Sequence, residues 1–302
     1  MVTNYSIIIP HKNSIELLER LLNSIPVRDD IQIIIIDDNS DRSKVDINNM
    51  PCKNRKGVEY IFLTKEDSNG AGRARNIGLK YAKGKWLLFA DADDFYTEKI
   101  SYILNKYAKD NVTDIVYLNA QTYYSDGNVG ILPCNRYINN YLKHKPYSKE
   151  VLKFNLWTPW TRMVKRELVE KYNIKYEEVT LSNDTVFCLL CSKYSRVIAA
   201  EEVVVYNYYK PIQGSLTEIN AVKPETYRLR LDVIKKVNAI YETVGYRYRL
   251  SYLYFIINLV RRKKYHLYKG IIKNSREDYD FPSLKDTLSA IRLVVGKVLK
   301  II

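Results

Sequence analysis

Histidine and cysteine are scarce here: three and four residues, respectively, in a chain of 302. Cys52, Cys134, Cys188 and Cys191 are too few and too unevenly spaced for a secreted disulfide framework or a zinc site. Cys188-Leu-Leu-Cys191 has redox-like spacing, but its apolar surroundings read as two buried thiols. His11, His144 and His266 are scattered without a His-x-x-x-His pair, so zinc-hydrolase chemistry is not expected. Long apolar runs are also missing. The longest, residues 252–260, is interrupted by Asn258 and is too short to span a bilayer. The first residues carry neither a basic leader nor a cleavage site, which gives the expectation of a cytoplasmic protein without a transmembrane anchor. Acidic residues are under-represented against basic ones, 34 against 48, for a formal charge of +14. That excess favours an anionic partner: nucleic acid, anionic lipid or a phosphorylated substrate.

The first hundred residues alternate between two hydrophobic periods. Residues 5–9, 31–36, 58–63 and 86–90 are nearly continuous apolar runs. Ile15, Leu18, Leu21, Leu22 and Ile25 recur at helical spacing after Asn13 and Ser14, and residues 71–83 read as a helix stopped by Gly84. Strands that are apolar throughout are buried on both faces, and their alternation with helices predicts a largely parallel α/β sheet. Beyond residue 99 the pattern gives a helix to about residue 108 and a strand at 114–118. A Tyr-rich hairpin through Ser125-Asp-Gly-Asn128, a helix after Trp160, a helix over 184–192 and a strand at 203–208 follow. The linker-like composition of residues 217–224 places a boundary near Asn220. The expected organisation is an α/β domain of nucleotide-binding type over 1–220, divided at about 110 into two halves, and a basic helical region over 221–302.

The chemistry begins at Trp86-Leu-Leu-Phe-Ala-Asp-Ala-Asp-Asp-Phe95, where an apolar strand runs into the carboxylates of Asp91, Asp93 and Asp94. Hard divalent cations take oxygen ligands. Mg²⁺ commonly uses one or two protein carboxylates and completes its shell with water and phosphate. Acids at a strand's carboxyl end also sit where open α/β sheets bind ligands. Two other motifs fail on inspection. Gly70-Ala-Gly72 lacks the third glycine of a dinucleotide fingerprint, having Arg75 there, and Gly296-Lys297 lacks the flanking residues of a phosphate-binding loop.

Four segments occur in order: Ser6-Ile-Ile-Ile-Pro-His-Lys-Asn13, Ile35-Ile-Asp-Asp-Asn-Ser40, Gly70-Ala-Gly-Arg-Ala-Arg-Asn-Ile-Gly78 and Ala90-Asp-Ala-Asp-Asp94. Their order and spacing resemble the family 2 glycosyltransferases over roughly residues 5–215. The resemblance implies a GT-A (Rossmann-like) fold, with a mixed, largely parallel sheet flanked by helices and a C-terminal helical extension. It implies a nucleotide-diphosphate sugar as donor, most simply a UDP-sugar, and Mn²⁺ or Mg²⁺ as cofactor. Pro10 and Asp38 would border the nucleoside. Gly70 would let main chain approach the nucleotide, with Arg73 or Arg75 toward the diphosphate. Asp91 would face ribose or sugar, and Asp93 would hold the metal.

In the second half, Leu181-Ser-Asn-Asp184 resembles the family's Glu-Asp pair, whose Asp is the general base. Asn183 departs from that pattern. Trp157 and Trp160 resemble acceptor-side aromatics, and Lys210 stands where relatives often have Arg, bringing a point charge and not a bidentate clamp. One base without a partner nucleophile implies inversion at the anomeric carbon. The acceptor implied is a saccharide or a lipid-linked saccharide of surface polysaccharide or glycolipid assembly. A catalytically inactive binding subunit of the same fold and a sugar-nucleotide pyrophosphorylase are the rival readings. The latter would need a Gly-rich basic loop right after the first strand, and Pro10-His-Lys-Asn13 is not one.

The tail carries Arg261-Arg-Lys-Lys264 and an amphipathic pattern over 283–302. There Leu284, Leu288, Ile291, Val295, Val298 and Leu299 share a face, with Lys285, Arg292, Lys297 and Lys300 around it. This composition suits an interfacial helix on an anionic membrane, and equally a helix packed on a domain. The resemblance favours peripheral attachment at the inner membrane face, and nucleic acid finds no motif to support it.

Overall fold

The structure is a computed structural model and describes residues 2–210, 224–248 and 250. The chain divides into two compact units, Met1–Ser215 and Leu216–Ile302. Among the described residues nine strands form one mixed sheet, in the order β3-β2-β1-β4-β8-β6-β9-β5 with β7 paired to β6. Strands β1 (Tyr5–His11), β2 (Ile31–Asp37), β3 (Val58–Phe62) and β4 (Trp86–Phe89) are parallel. Helix α1 (Ile15–Ser24) links the first two of these strands, and α2 (Gly70–Tyr81) carries the chain from β3 back across the sheet to β4. The direction of winding therefore reverses between β1 and β4. In a sheet of this kind the crevice beyond the strand ends at that point is the ligand site.

The apolar runs form the strands for the reason their pattern gave. All seven residues of β2 and all four of β4 are buried, and each buried aliphatic side chain contributes about 1.5–3 kcal/mol. The third run behaves differently. Every residue of β3 is only partly buried, because β3 is the edge of the sheet and is not covered on both faces. Helix α2 packs so closely that a Cβ on Gly78 would lie 2.4 Å from Ile8 Cγ2 and 2.9 Å from Ile36 Cδ1. Gly84 serves the same kind of need, with a Cβ there only 2.4 Å from the main chain of Tyr5 and Ser6. The helix itself already ends at Tyr81.

The second half of the sheet adds α3 (Ile100–Tyr107), β6 (Ile115–Tyr124), β7 (Val129–Ile131), α4 (Pro133–Leu142) and α5 (Ser148–Asn155). It continues with β8 (Arg162–Lys165), α6 (Arg166–Lys171), α7 (Thr185–Tyr194) and β9 (Ile198–Lys210); the two-residue strand β5 is Phe95–Tyr96. The segment after Trp160 corrects the expectation of a helix. Arg162-Met-Val-Lys165 is a fully buried strand between β4 and β6, and the helix starts only at Arg166. Four residues between two strands cannot show a period that separates helix from strand. β8 is antiparallel to both β4 and β6, and β6 is parallel to β9. The carboxyl end of β9 therefore emerges on the same edge as the carboxyl ends of β1 and β4.

Cys188 and Cys191 are buried free thiols on α7, and burial pushes both above the ordinary thiol range. In the second unit, α8 spans Pro224–Thr243. The Asn238 side chain then holds the main chain of Leu250, its Oδ1 accepting from Leu250 N–H (2.8 Å) and its Nδ2 donating to Leu250 O (3.0 Å). No described helix is long and apolar enough to cross a membrane. The amphipathic stretch 283–302, the basic run 261–264 and the expected boundary at Asn220 lie outside the described residues.

Candidate active site

The ends of β1 and β2 are tied together by a buried carboxylate. His11 stands opposite Asp37 in the β1/β2 register, and its Nδ1 lies 2.9 Å from Asp37 Oδ2, with both side chains fully buried. The Ser14 main-chain N–H donates to His11 Nε2 (3.2 Å), so the ring proton is on Nδ1 and is donated to Asp37. Asp37 also accepts from the Ser40 hydroxyl (2.5 Å) and Ser40 N–H (3.0 Å). Burial alone would push this carboxyl up, yet the bonds from His11 and Ser40 outweigh it and hold Asp37 below the usual range. The loops after the two strands are further joined by Asn13 N–H to Ser40 Oγ (2.9 Å) and by Asp41 N–H to Asn13 Oδ1 (2.7 Å).

Beside this knot lies Asp38, only 5% exposed. Its Oδ2 accepts from Gly70 N–H (3.2 Å) and faces Lys12 Nζ (3.6 Å), whereas its buried Oδ1 has no protein partner. Pro10, partly buried, precedes His11 at the same strand end. Gly70 opens α2 with φ +77°, a left-handed value that a side chain would strain.

From α2 the two arginines diverge. Arg73 turns outward to Glu178 (3.4 Å). Arg75 turns inward, 5% exposed, and joins the two halves of the domain: it donates to Asp91 Oδ1 (2.5 Å) and to Asn183 Oδ1 (2.8 Å). Burial works against the charge on Arg75, but Asp91, Tyr176 and Asp184 keep the guanidinium protonated. Gly72 permits this approach, since a Cβ there would sit 2.1 Å from the Glu177 carbonyl oxygen.

The acidic turn after β4 separates into three environments. Asp91 is held by Arg75, and its N–H donates to the Tyr206 hydroxyl (3.0 Å). Asp94 is fully buried and accepts from Tyr206 Oη (2.8 Å) and Tyr209 N–H (2.7 Å), fastening the turn to β9. Burial, with Asp91 and Asp93 beside it, raises its carboxyl well above the usual range. Asp93 belongs to no ion pair among the described residues and its side chain reaches solvent. Protein nevertheless surrounds it closely enough that burial, then Asp91, raise it above the ordinary value. Among the described residues no cluster of three His, Cys, Asp or Glu side chains could hold a metal.

Asp184 stands at the N-cap position of α7, immediately after Asn183, and its side chain makes no capping bond. Burial raises its carboxyl, Arg75 and Arg162 draw it back, and Asp91 pushes it further up. Such a carboxylate is a better proton acceptor than a free one. Of the aromatics, Trp160 is 9% exposed and stacks on Tyr206 (5.1 Å) and Tyr208 (5.7 Å). Trp157 is partly buried, its indole N–H donating to Phe154 O (2.6 Å). Lys210 closes β9, its carbonyl accepting from Ser125 N–H (3.3 Å). His11, Asp37 and Tyr206 were not legible as site residues. The first two become partners only because β1 and β2 are strands of equal length whose parallel register sets His11 against Asp37.

The profile of the family described as Glycosyl transferase family 2 matches residues 6–172. The chain is 27% identical over 230 residues to "Uncharacterized glycosyltransferase EpsJ" of Bacillus subtilis, covering 72% of this chain and 64% of that protein. It is 37% identical over 114 residues to "Poly(ribitol-phosphate) beta-glucosyltransferase" of Bacillus spizizenii, covering 36% of this chain and 18% of that protein. It thus spans less than two thirds of the length of these relatives. Its fold is similar to the crystal structure of Staphylococcus aureus TarS 1-349 in complex with UDP-GlcNAc, with a TM-score of 0.61 at 19% identity. That similarity covers 78% of this chain and 66% of the other. The match begins in β1, takes in the Asp37–Asp38 turn, α2 and the acidic turn after β4, and ends beyond α6. On that match, over more than half its length, the chain belongs to glycosyl transferase family 2.

Proposed function

We propose that the chain is an inverting glycosyltransferase that moves a sugar from a nucleotide-diphosphate donor, most simply a UDP-sugar, to a hydroxyl of a saccharide or lipid-linked acceptor. The observation that carries this reading is the Arg75 bridge. One buried guanidinium holds Asp91, on the turn at the donor-side strand ends, and Asn183, the residue before Asp184. The donor carboxylates and the candidate base are thereby set against each other across a single side chain.

Asp38, with an unpartnered buried Oδ1, suits the N–H or hydroxyl donors of a nucleoside. Gly70 gives main chain in place of a side chain at that point. Asp184 takes the proton from the attacking hydroxyl, and its raised affinity for protons serves that step. Asn183 replaces the family's acid with an amide that still accepts from Arg75, so the bridge survives the substitution. The similarity to a poly(ribitol-phosphate) beta-glucosyltransferase supports transfer to a polymeric acceptor. The basic tail is consistent with contact at an anionic membrane surface.

The residues present fit a divalent ion at Asp93. Arg75 engages Asp91 and β9 engages Asp94, which leaves Asp93 accessible and crowded by negative charge. One carboxylate is enough where phosphate oxygens complete the shell. A Mn²⁺ or Mg²⁺ ion there would neutralise charge on the leaving diphosphate.

The test is a panel of nucleotide sugars assayed for donor binding and transfer, with Mn²⁺ and without. Asp93→Ala is expected to abolish metal-dependent donor binding. Asp184→Ala is expected to leave donor binding within about twofold and to lower transfer by at least about 10²-fold, the scale of a lost general base. Transfer retained by the second variant would sink the base assignment.

A further inference from the structure

Arg20 grips the acidic turn by its main chain. It lies on α1, partly buried, and its Nη2 donates to the Asp93 carbonyl oxygen (2.6 Å). The same guanidinium lies over two aromatic rings, 4.7 Å from the centre of Phe95 and 4.2 Å from that of Tyr209. Phe95 opens β5 just after the turn, and Tyr209 stands near the end of β9. A planar, delocalised cation suits this setting, because its faces stack on rings while its edge donates.

A second contact comes from the same helix one turn later. Ser24 Oγ accepts from Tyr96 N–H (2.9 Å), and positions 20 and 24 share a helix face. Two side chains of α1 therefore bracket residues 93–96 at both ends. Strand β9 adds its own ties: Tyr209 N–H donates to Asp94 Oδ1 (2.7 Å), and Phe95 and Tyr96 pair with Asn207 and Tyr206. The carbonyl of Asp93, the carboxyl of Asp94, the ring of Phe95 and the N–H of Tyr96 are thus all engaged, while the Asp93 side chain is left exposed. A positive charge this close to a metal ligand opposes the charge of a metal ion. What Arg20 can contribute to a metal site is therefore placement.

We propose that Arg20 is a positioning residue for Asp93: it fixes the main chain of that residue, so that its carboxylate meets a divalent ion and the diphosphate at one place. This rests on Asp93 being the metal ligand. Groups that orient a ligand from behind are worth about 10–100-fold in metal affinity.

The test is the affinity for Mn²⁺ in the presence of UDP, read from the paramagnetic resonance signal of free Mn²⁺ at a temperature where thermal unfolding shows each variant to be folded. Arg20→Ala is expected to weaken Mn²⁺ binding by at least about tenfold. Loss of the charge by itself acts in the opposite direction and would tighten it. Affinity that is unchanged or tighter in folded Arg20→Ala overturns the proposal and leaves the arginine a packing role. If Arg20→Ala does not fold, Tyr209→Leu decides, since it keeps the N–H that Asp94 uses and removes one ring from the guanidinium. That variant is expected to weaken Mn²⁺ binding by at least about threefold, part of the full effect, and unchanged affinity refutes the assignment. Mn²⁺ held equally well by Asp93→Ala and the unaltered protein identifies failure of the metal reading itself, whatever Arg20 does.

Discussion

Asp37 shows how a single side chain can organise the strand ends on which a nucleotide would rest. Its two oxygens take three hydrogen bonds from His11 and Ser40. The folded-state carboxyl is held low, so its stabilisation is present above the unfolded value near pH 4 and is lost as pH falls through the lower folded value. Asp37→Asn is expected to cost about 1–3 kcal/mol at neutral pH, the scale of a disrupted buried bond to a charged group. In urea titrations between pH 7 and 3, the gap between the two proteins should narrow only below about pH 4. A gap that is constant with pH would mean that the carboxylate's charge is not what stabilises the knot. At this scale, sequence showed which residue types were present but not their partners. Asp91, Asp93 and Asp94 look alike in a string, and only their neighbours Arg75, solvent and Tyr206 make them different.

Helix α2 sets the site through the residues it lacks. Gly78 and Gly72 fail to tolerate a methyl group for different reasons, one meeting the sheet and the other the loop that leads to Asp184. Gly78→Ala forces Ile8 and Ile36 aside and is expected to destabilise by about 1–3 kcal/mol, as overpacked cores do. Gly72→Ala pushes on the Glu177 carbonyl, and the loop from there to Asn183 is tied at both ends: Glu177 N–H donates to Asn183 O (3.1 Å). Its displacement would draw Asn183 from Arg75. Gly72→Ala is therefore expected to destabilise the protein and, in the folded fraction, to lower transfer by at least about tenfold, given how steeply rate depends on placement. Thermal unfolding and initial rates on both variants check this, and equal rates in Gly72→Ala and the unaltered protein would contradict it. The helix was legible from its period and the tight packing was not, because glycine reads as a turn residue until a neighbour is known to lie within 3 Å.

On the scale of the whole molecule the charge of +14 remains to be placed. Much of it lies beyond residue 220, in a tail whose pattern suits an anionic surface. Full-length protein is expected to co-sediment with vesicles containing anionic lipid, with binding that weakens as salt rises. Removing residues 283–302 should reduce co-sedimentation by at least about fivefold, an estimate from the loss of the four cations and apolar face named above. Equal sedimentation of the two proteins would remove the membrane role from this segment.

The sequence by itself determined the α/β alternation, the ordered motifs and therefore the family, because hydrophobic period and short motif spacing are local properties. It misjudged β3 as enclosed and β8 as helix, since coverage of a strand depends on what lies beside it and four residues carry no period. Only the tertiary structure decided that Arg75 spans from Asp91 to Asn183, that Tyr206 reaches back to Asp94, and that Arg162 is buried with no ion pair among the described residues. Those contacts join residues from 16 to 112 positions apart. A chain of letters does not encode separation in space, and the strength of a charge in a protein depends on the dielectric and the partners that folding brings to it.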